Sequence, residues 1–209
     1  LDLRGNPGGR LQDIYKLSQF LNDTTNQFVK PAKLTNRFIF FNTISGKSVV
    51  GTYLSIPFTT IFSTLRAIKS YKNDNGEIMY PVKQSKVTIP NSLNYKNNLY
   101  VITDGATFSA AAIISSHLKG RNRAIFIGEE TGGTFNGTVA GMMPRVKLPK
   151  SKLKLRIGLM AISAVEQTPN EGYGIIPDIE IIPSIDQLLN NQDLELDWIL
   201  NHINQNLPK

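Results

Sequence analysis

The spacing of apolar residues changes repeatedly along this chain, and each change marks an element. Leu11, Ile14, Tyr15, Leu17, Phe20 and Leu21 recur at helical intervals directly after a glycine turn and predict a helix over Gly9–Asn22. Phe58, Ile61, Phe62, Leu65 and Ile68 predict an amphipathic helix over Pro57–Tyr71. Shorter apolar runs predict strands at Arg37–Asn42, Leu99–Thr103 and Ala124–Ile127, with a helix over Thr107–Leu118 between the last two. A strand, helix, strand succession of this length builds parallel sheet, so the fold class is α/β. Lys72–Gly76 reads as a turn, followed by short strands at Glu77–Pro81 and Lys86–Ile89 that could pair as a hairpin. Beyond Gly137, residues 138–147, 153–164 and 178–182 read as strands, and Ser184–Asn204 as a terminal helix or helix pair capped by Ser184. There is no internal repeat and no low-complexity linker, which points to one domain over residues 1–209.

Composition narrows the chemistry. With 209 residues, 41% of them hydrophobic, the chain can bury one core, or one core and a small lobe. It has no apolar run long enough to cross a bilayer. The absence of cysteine removes thiol nucleophiles, disulfides and zinc-thiolate sites together. A net charge of +7 allows an acidic partner. Lysines 147, 150, 152 and 154 alternate with Val146, Leu148, Leu153 and Leu155. That stretch reads as a strand with a solvated basic face in preference to a nucleic-acid site, because no aromatic platform is interleaved.

The chemistry centres on Thr103-Asp-Gly-Ala-Thr-Phe-Ser109-Ala-Ala-Ala-Ile-Ile114, which puts Ser109 at the hinge between an apolar strand and an apolar helix. The first backbone N–H groups of a helix have no partner within it and carry partial positive charge. A hydroxyl on that turn is therefore beside donors for an oxyanion, with the Ala110 N–H the nearest. Thr107 and Ser109 could equally be ordinary helix caps.

Three further motifs stand in order around this one. They are Leu1-Asp-Leu-Arg-Gly-Asn-Pro-Gly-Gly9, Gly128-Glu-Glu-Thr-Gly-Gly133 and Gly174-Ile-Ile-Pro-Asp-Ile179. With the serine between the first and second, the set resembles the tail-specific, or C-terminal processing, proteases of serine peptidase family S41. The resemblance covers residues 1–20 and 97–182, and residues 30–96 read as an insertion or elaboration.

The resemblance implies a ClpP/crotonase-like sheet and helix arrangement and a serine-type endopeptidase acting on polypeptide segments, without metal or organic cofactor. Ser109 would be the nucleophile, and Gly8 or Gly9 together with Ala110 would form the oxyanion hole. In the Ser/Lys branch the loop ends in Thr-x-Gly-Lys; here it is Thr131-Gly-Gly-Thr134, so that lysine is absent. In the tricorn-core-like branch the base is a histidine upstream of the Asp-Leu-Arg strand. Its supporting glutamate lies three residues before the glycine of Gly-x-x-Pro-Asp, the position of Glu171. His117 lies eight residues beyond Ser109 on the predicted helix, about 12 Å along its axis, and cannot reach the serine directly. His202, beside Trp198 and Ile199, reads as a structural histidine.

The opening on a strand and glycine turn without an initiator methionine leads to the expectation of a piece of a longer protein, with the base supplied from upstream. The family resemblance implies an extracytoplasmic location. Oligomeric state and sequence preference are not encoded in any motif found here. Two other readings share these residues: a non-catalytic peptide-binding relative that has lost the base, and a crotonase-like acyl-CoA enzyme in which Ser109 is incidental.

Overall fold

Strands Ile179–Glu180, Ile125–Gly128 and Tyr100–Thr103 lie side by side in parallel, and the opening residues extend the sheet through a parallel bridge between Asp2 and Ile102. The computed structural model describes residues 1–37, 57, 60–61, 63–141, 143, 145–148 and 150–206. These form two compact units, one of residues 1–28, 88–137 and 164–209 and the other of residues 29–87 and 138–163.

In the first unit, parallel neighbours Tyr100–Thr103 and Ile125–Gly128 are connected by the helix Ala110–Gly120, the crossover that such pairing requires. Ala110 through Leu118 are all buried, which explains why the helix is apolar around most of its circumference. Its buried serines have partners: Ser115 donates to Ala111 O and Ser116 to Phe135 O. Successive strand residues face opposite sides of the sheet. Ile102 and Ile127 pack with Ile199 and Trp198 of the C-terminal helix Leu194–Gln205. Phe126 belongs to the opposite face, with Lys119 of the serine helix over its ring. A sheet covered on both faces accounts for the fully buried Val101, Phe126 and Ile127.

The second unit is antiparallel. Its five-stranded sheet runs Tyr71–Lys72, Ile78–Tyr80, Ala32–Leu34, Met160–Ser163, Gly137–Ala140. A separate two-stranded hairpin joins Arg145–Lys147 to Lys154–Arg156.

Several boundaries differ from expectation for identifiable reasons. The helix expected from Thr107 begins at Ala110, because residues 104–107 close a turn through the Thr107 N–H on Asp104 O. Tyr71 is not the end of a helix but part of a strand, and Ile78–Tyr80 pairs with it and with Ala32–Leu34 instead of with Lys86–Ile89. The single strand expected over 138–147 is two strands, Gly137–Ala140 and Arg145–Lys147, with Gly141 between them at φ +75°. Ser184 does cap a helix, Ile185–Leu189, through a full capping box with Gln187, and a second helix follows. The strand expected at Arg37–Asn42 lies outside the described residues beyond Arg37.

Candidate active site

Ser109 is the N-cap of the Ala110–Gly120 helix, with φ 53° and ψ −118°. Side-chain-bearing residues enter such sparsely populated backbone regions at a cost of about 1–3 kcal/mol. A capping serine has extended backbone angles and accepts an N–H from the first turn. Ser109 does neither, and its hydroxyl has no hydrogen-bond partner among the described residues. Thr107 is also not a cap: its hydroxyl donates to Leu3 O at 2.8 Å and accepts the Asp104 N–H at 3.1 Å. The strained backbone thus leaves a partly exposed serine at the start of a buried helix without helping the helix to close its own end.

The surrounding turns are fastened by polar groups that patterning alone does not reveal. Asp104 accepts the Gly5 N–H on both carboxylate oxygens, at 3.0 and 2.9 Å, and the Ala106 N–H at 3.0 Å. The Asn6 carbonyl accepts the Phe108 N–H at 2.9 Å, and its side-chain oxygen accepts the Gly8 N–H, also at 2.9 Å. Asp104 and Asn6 therefore tie the opening turn to the serine turn. The Asn-Pro-Gly sequence at 6–8 was the available signal, since an Asx side chain readily takes an N–H two residues on.

Glycine is obligatory where these turns meet. Gly8 has φ +95°, and a Cβ there would stand 2.7 Å from Ala110 N and 2.8 Å from Ser109 Cβ. A Cβ on Gly133 would meet Ala112 Cβ at 2.4 Å and Ser109 N at 3.2 Å. Gly9, by contrast, has open space around it. Among the described residues, the N–H groups of Gly9 and Ala110 have no hydrogen-bond partner, whereas that of Gly8 is taken by Asn6.

The third and fourth motifs are bound to each other. Thr131 N–H donates to Ile175 O at 3.2 Å, and Thr131 Oγ1 accepts the Ile175 N–H at 2.9 Å and donates to Gly133 O at 2.7 Å. Glu130, which sequence reading did not single out, accepts the Gly174 N–H at 2.6 Å. Asp178 receives the Phe126 N–H on one carboxylate oxygen and Lys119 on the other. The structure thus gathers Gly8, Ser109, Ala110 and the Gly132–Gly133 turn, with the Gly174–Asp178 segment attached through Thr131. Glu171 stands apart: it is exposed, and its carboxylate has no partner among the described residues.

Both histidines are engaged elsewhere. His117 is 1% exposed, its Nε2 lies 3.0 Å from Asn22 Nδ2 and 3.2 Å from Asn22 Oδ1, and its ring meets Phe28 edge-on. Burial, with the Arg121 charge adding to it, pushes its pKa down to about 4. His202 stacks on Trp198 and lies 3.0 Å through Nδ1 from the Tyr100 hydroxyl.

The Asp-Leu-Arg strand has a structural assignment. Arg4 forms a bidentate pair with Asp2, bonds both oxygens of Asp193 at 2.9 Å, and reaches the buried Glu195 at 3.3 Å. Hydrogen bonds from Arg4 hold the Asp2 and Asp193 carboxyls below the usual range. Asp193 also caps the C-terminal helix by accepting the Leu196 N–H, so this cluster anchors the opening strand to the start of that helix.

With this geometry in place, the relationships of the chain are clear. The sequence profile of peptidase family S41 matches residues 1–181, and the chain belongs to that family. No curated protein matches it. Solved structures with the same fold include mature CPAF complexed with lactacystin, 15% identical with a TM-score of 0.59 over 98% of this chain and 43% of that one. A candidate peptidase from Parabacteroides merdae is 15% identical, with a TM-score of 0.57 over 96% of this chain and 50% of its own. A candidate S41 protease from Bacteroides fragilis is 20% identical, with a TM-score of 0.52 over 100% of this chain and 45% of its own. The chain therefore spans half the length or less of these proteins, and the likeness at such identities is one of fold.

Proposed function

We propose that this chain is the core of a serine-type endopeptidase in which Ser109 is the nucleophile, with residues 30–96 an elaboration of that core. The observation that carries the reading is the strained, uncapped backbone of Ser109, packed against Gly8 so closely that no side chain fits between them. Strain of this kind persists where the surrounding structure imposes it, and it clusters at sites of chemistry. A helix cap would have relaxed it.

In the proposed reaction the Ser109 hydroxyl attacks a peptide carbonyl and gives its proton to a general base. The developing oxyanion takes hydrogen bonds from the Gly9 and Ala110 N–H groups, the pair left unoccupied once Asn6 has taken the Gly8 amide. Collapse of the tetrahedral intermediate expels the amine, which recovers the proton from the base. Water then enters by the same route in reverse and releases the acid. The base is assigned to a histidine in a part of the full-length protein preceding residue 1, because His117 and His202 are both packed into other contacts. Glu171 is assigned a supporting role, polarising that histidine from an exposed loop. The substrate is a polypeptide segment laid in extended form beside the sheet edge. Membership of family S41 favours an extracytoplasmic site of action.

The test is peptidase turnover by the full-length protein and its Ser109→Ala variant. The variant is expected to fold and to lose about a thousandfold or more in kcat. Turnover at the wild-type rate would refute the assignment.

A further inference from the structure

The basic hairpin plays no part in the proposed chemistry, and its construction points outward. Residues 145–156 carry six basic side chains and no acidic one, almost the whole of the chain's net charge of +7. In the hairpin register Lys154 stands opposite Lys147 and Arg156 opposite Arg145. Like charges directly across a ladder destabilise it. Arg145, Lys147, Lys150, Lys154 and Arg156 are exposed, and none takes part in an ion pair among the described residues.

The other half of the pattern is apolar. Alternation along Leu153-Lys-Leu-Arg-Ile157 turns Leu155 to the face opposite Lys154 and Arg156, with Leu153 and Ile157 continuing that face at either end. These three side chains are 63%, 43% and 43% exposed. The hairpin is a ribbon with a cationic face and an apolar face, both open to solvent.

We propose that this hairpin is a docking surface for an anionic phospholipid bilayer. Charge complementarity selects an anionic partner, and the apolar face selects among anionic partners. A nucleic acid or acidic polypeptide would neutralise the cations and leave Leu153, Leu155 and Ile157 in water. A bilayer interface accommodates both faces of one ribbon. The apolar side chains enter the boundary of headgroups and acyl chains, while the cations remain at headgroup level on their long stems. The inference is independent of the role of Ser109.

The experiment is co-sedimentation of the full-length protein with vesicles of phosphatidylcholine alone, or of three parts phosphatidylcholine to one part phosphatidylglycerol. Wild type is expected to partition onto the anionic vesicles only, and to be released as salt screens the attraction. The double variant Lys147→Gln, Lys154→Gln removes one cross-strand repulsion, so the ribbon is retained, and is expected to weaken partitioning by about 30-fold. The double variant Leu153→Ser, Leu155→Ser, with its charges intact, is expected to weaken it by about tenfold. Equal binding to neutral and anionic vesicles, or no binding to either, overturns the proposal. So does a leucine variant that partitions like wild type, because the surface would then be a general polyanion site.

Discussion

Gly8 lies so close to Ser109 that a Cβ built on it would stand 2.8 Å from the serine Cβ. Two turns a hundred residues apart in sequence are thereby fused into one packed assembly, in which the Gly9 and Ala110 amides have no hydrogen-bond partner among the described residues.

Alanine substitutions at neighbouring glycines separate packing from backbone chemistry. Gly8→Ala forces a methyl group into the serine turn at a positive φ and is expected to destabilise the fold by roughly 2–4 kcal/mol, and to reduce kcat/KM at least a hundredfold. Gly9→Ala meets open space and is expected to melt within a few degrees of wild type. Denaturant unfolding with parallel kinetics measures both, and equal stability of the two variants would contradict the packing described.

The elements around Ser109 were legible in the sequence because the apolar spacing switches from strand to helix within a few residues, on either side of a turn rich in glycine and hydroxyl side chains. The motif order also marks Gly8, Ala110 and Gly133. Asn6, Asp104 and Glu130 are not legible in that way, because their roles depend on which backbone N–H each carboxylate or amide meets after folding. The pairing in the second unit was opaque for another reason. Strands as short as Tyr71–Lys72 and Ala32–Leu34 hold too few residues to display an alternation, and their partners are set by long-range packing. Arg4 joins residues 189 and 191 positions away, a relation that no local pattern carries.

Arg4 holds a carboxylate that has little access to water. The Glu195 side chain is 6% exposed, so Arg4→Met leaves it buried without its partner and is expected to cost about 2–4 kcal/mol. Adding Glu195→Gln should recover part of that loss. A double variant no more stable than Arg4→Met, measured by thermal unfolding, would show that Glu195 is not the group at stake.

His117 sets a pH window for stability. Its folded pKa, about 4, lies below the ordinary 6.5, so the unfolded chain binds the extra proton between those values. This contribution is complete above pH 6.5 and is lost as pH falls toward 4, by at most about 3 kcal/mol. His117→Gln should flatten the stability profile in that window. An unchanged slope would remove His117 as its source.

Glu171 is exposed and unpaired among the described residues, so Glu171→Gln should leave the melting temperature unaltered while lowering kcat about 10- to 100-fold, less than the loss from Ser109→Ala. Unchanged kcat would return Glu171 to the status of a surface acid.

The most direct measurement is mass-spectrometric mapping of a fluorophosphonate adduct on the full-length protein. One adduct, on the Ser109 Oγ and absent from the Ser109→Ala variant, is the predicted result. An adduct on another residue, or labelling that survives the substitution, would contradict the role of Ser109 as nucleophile.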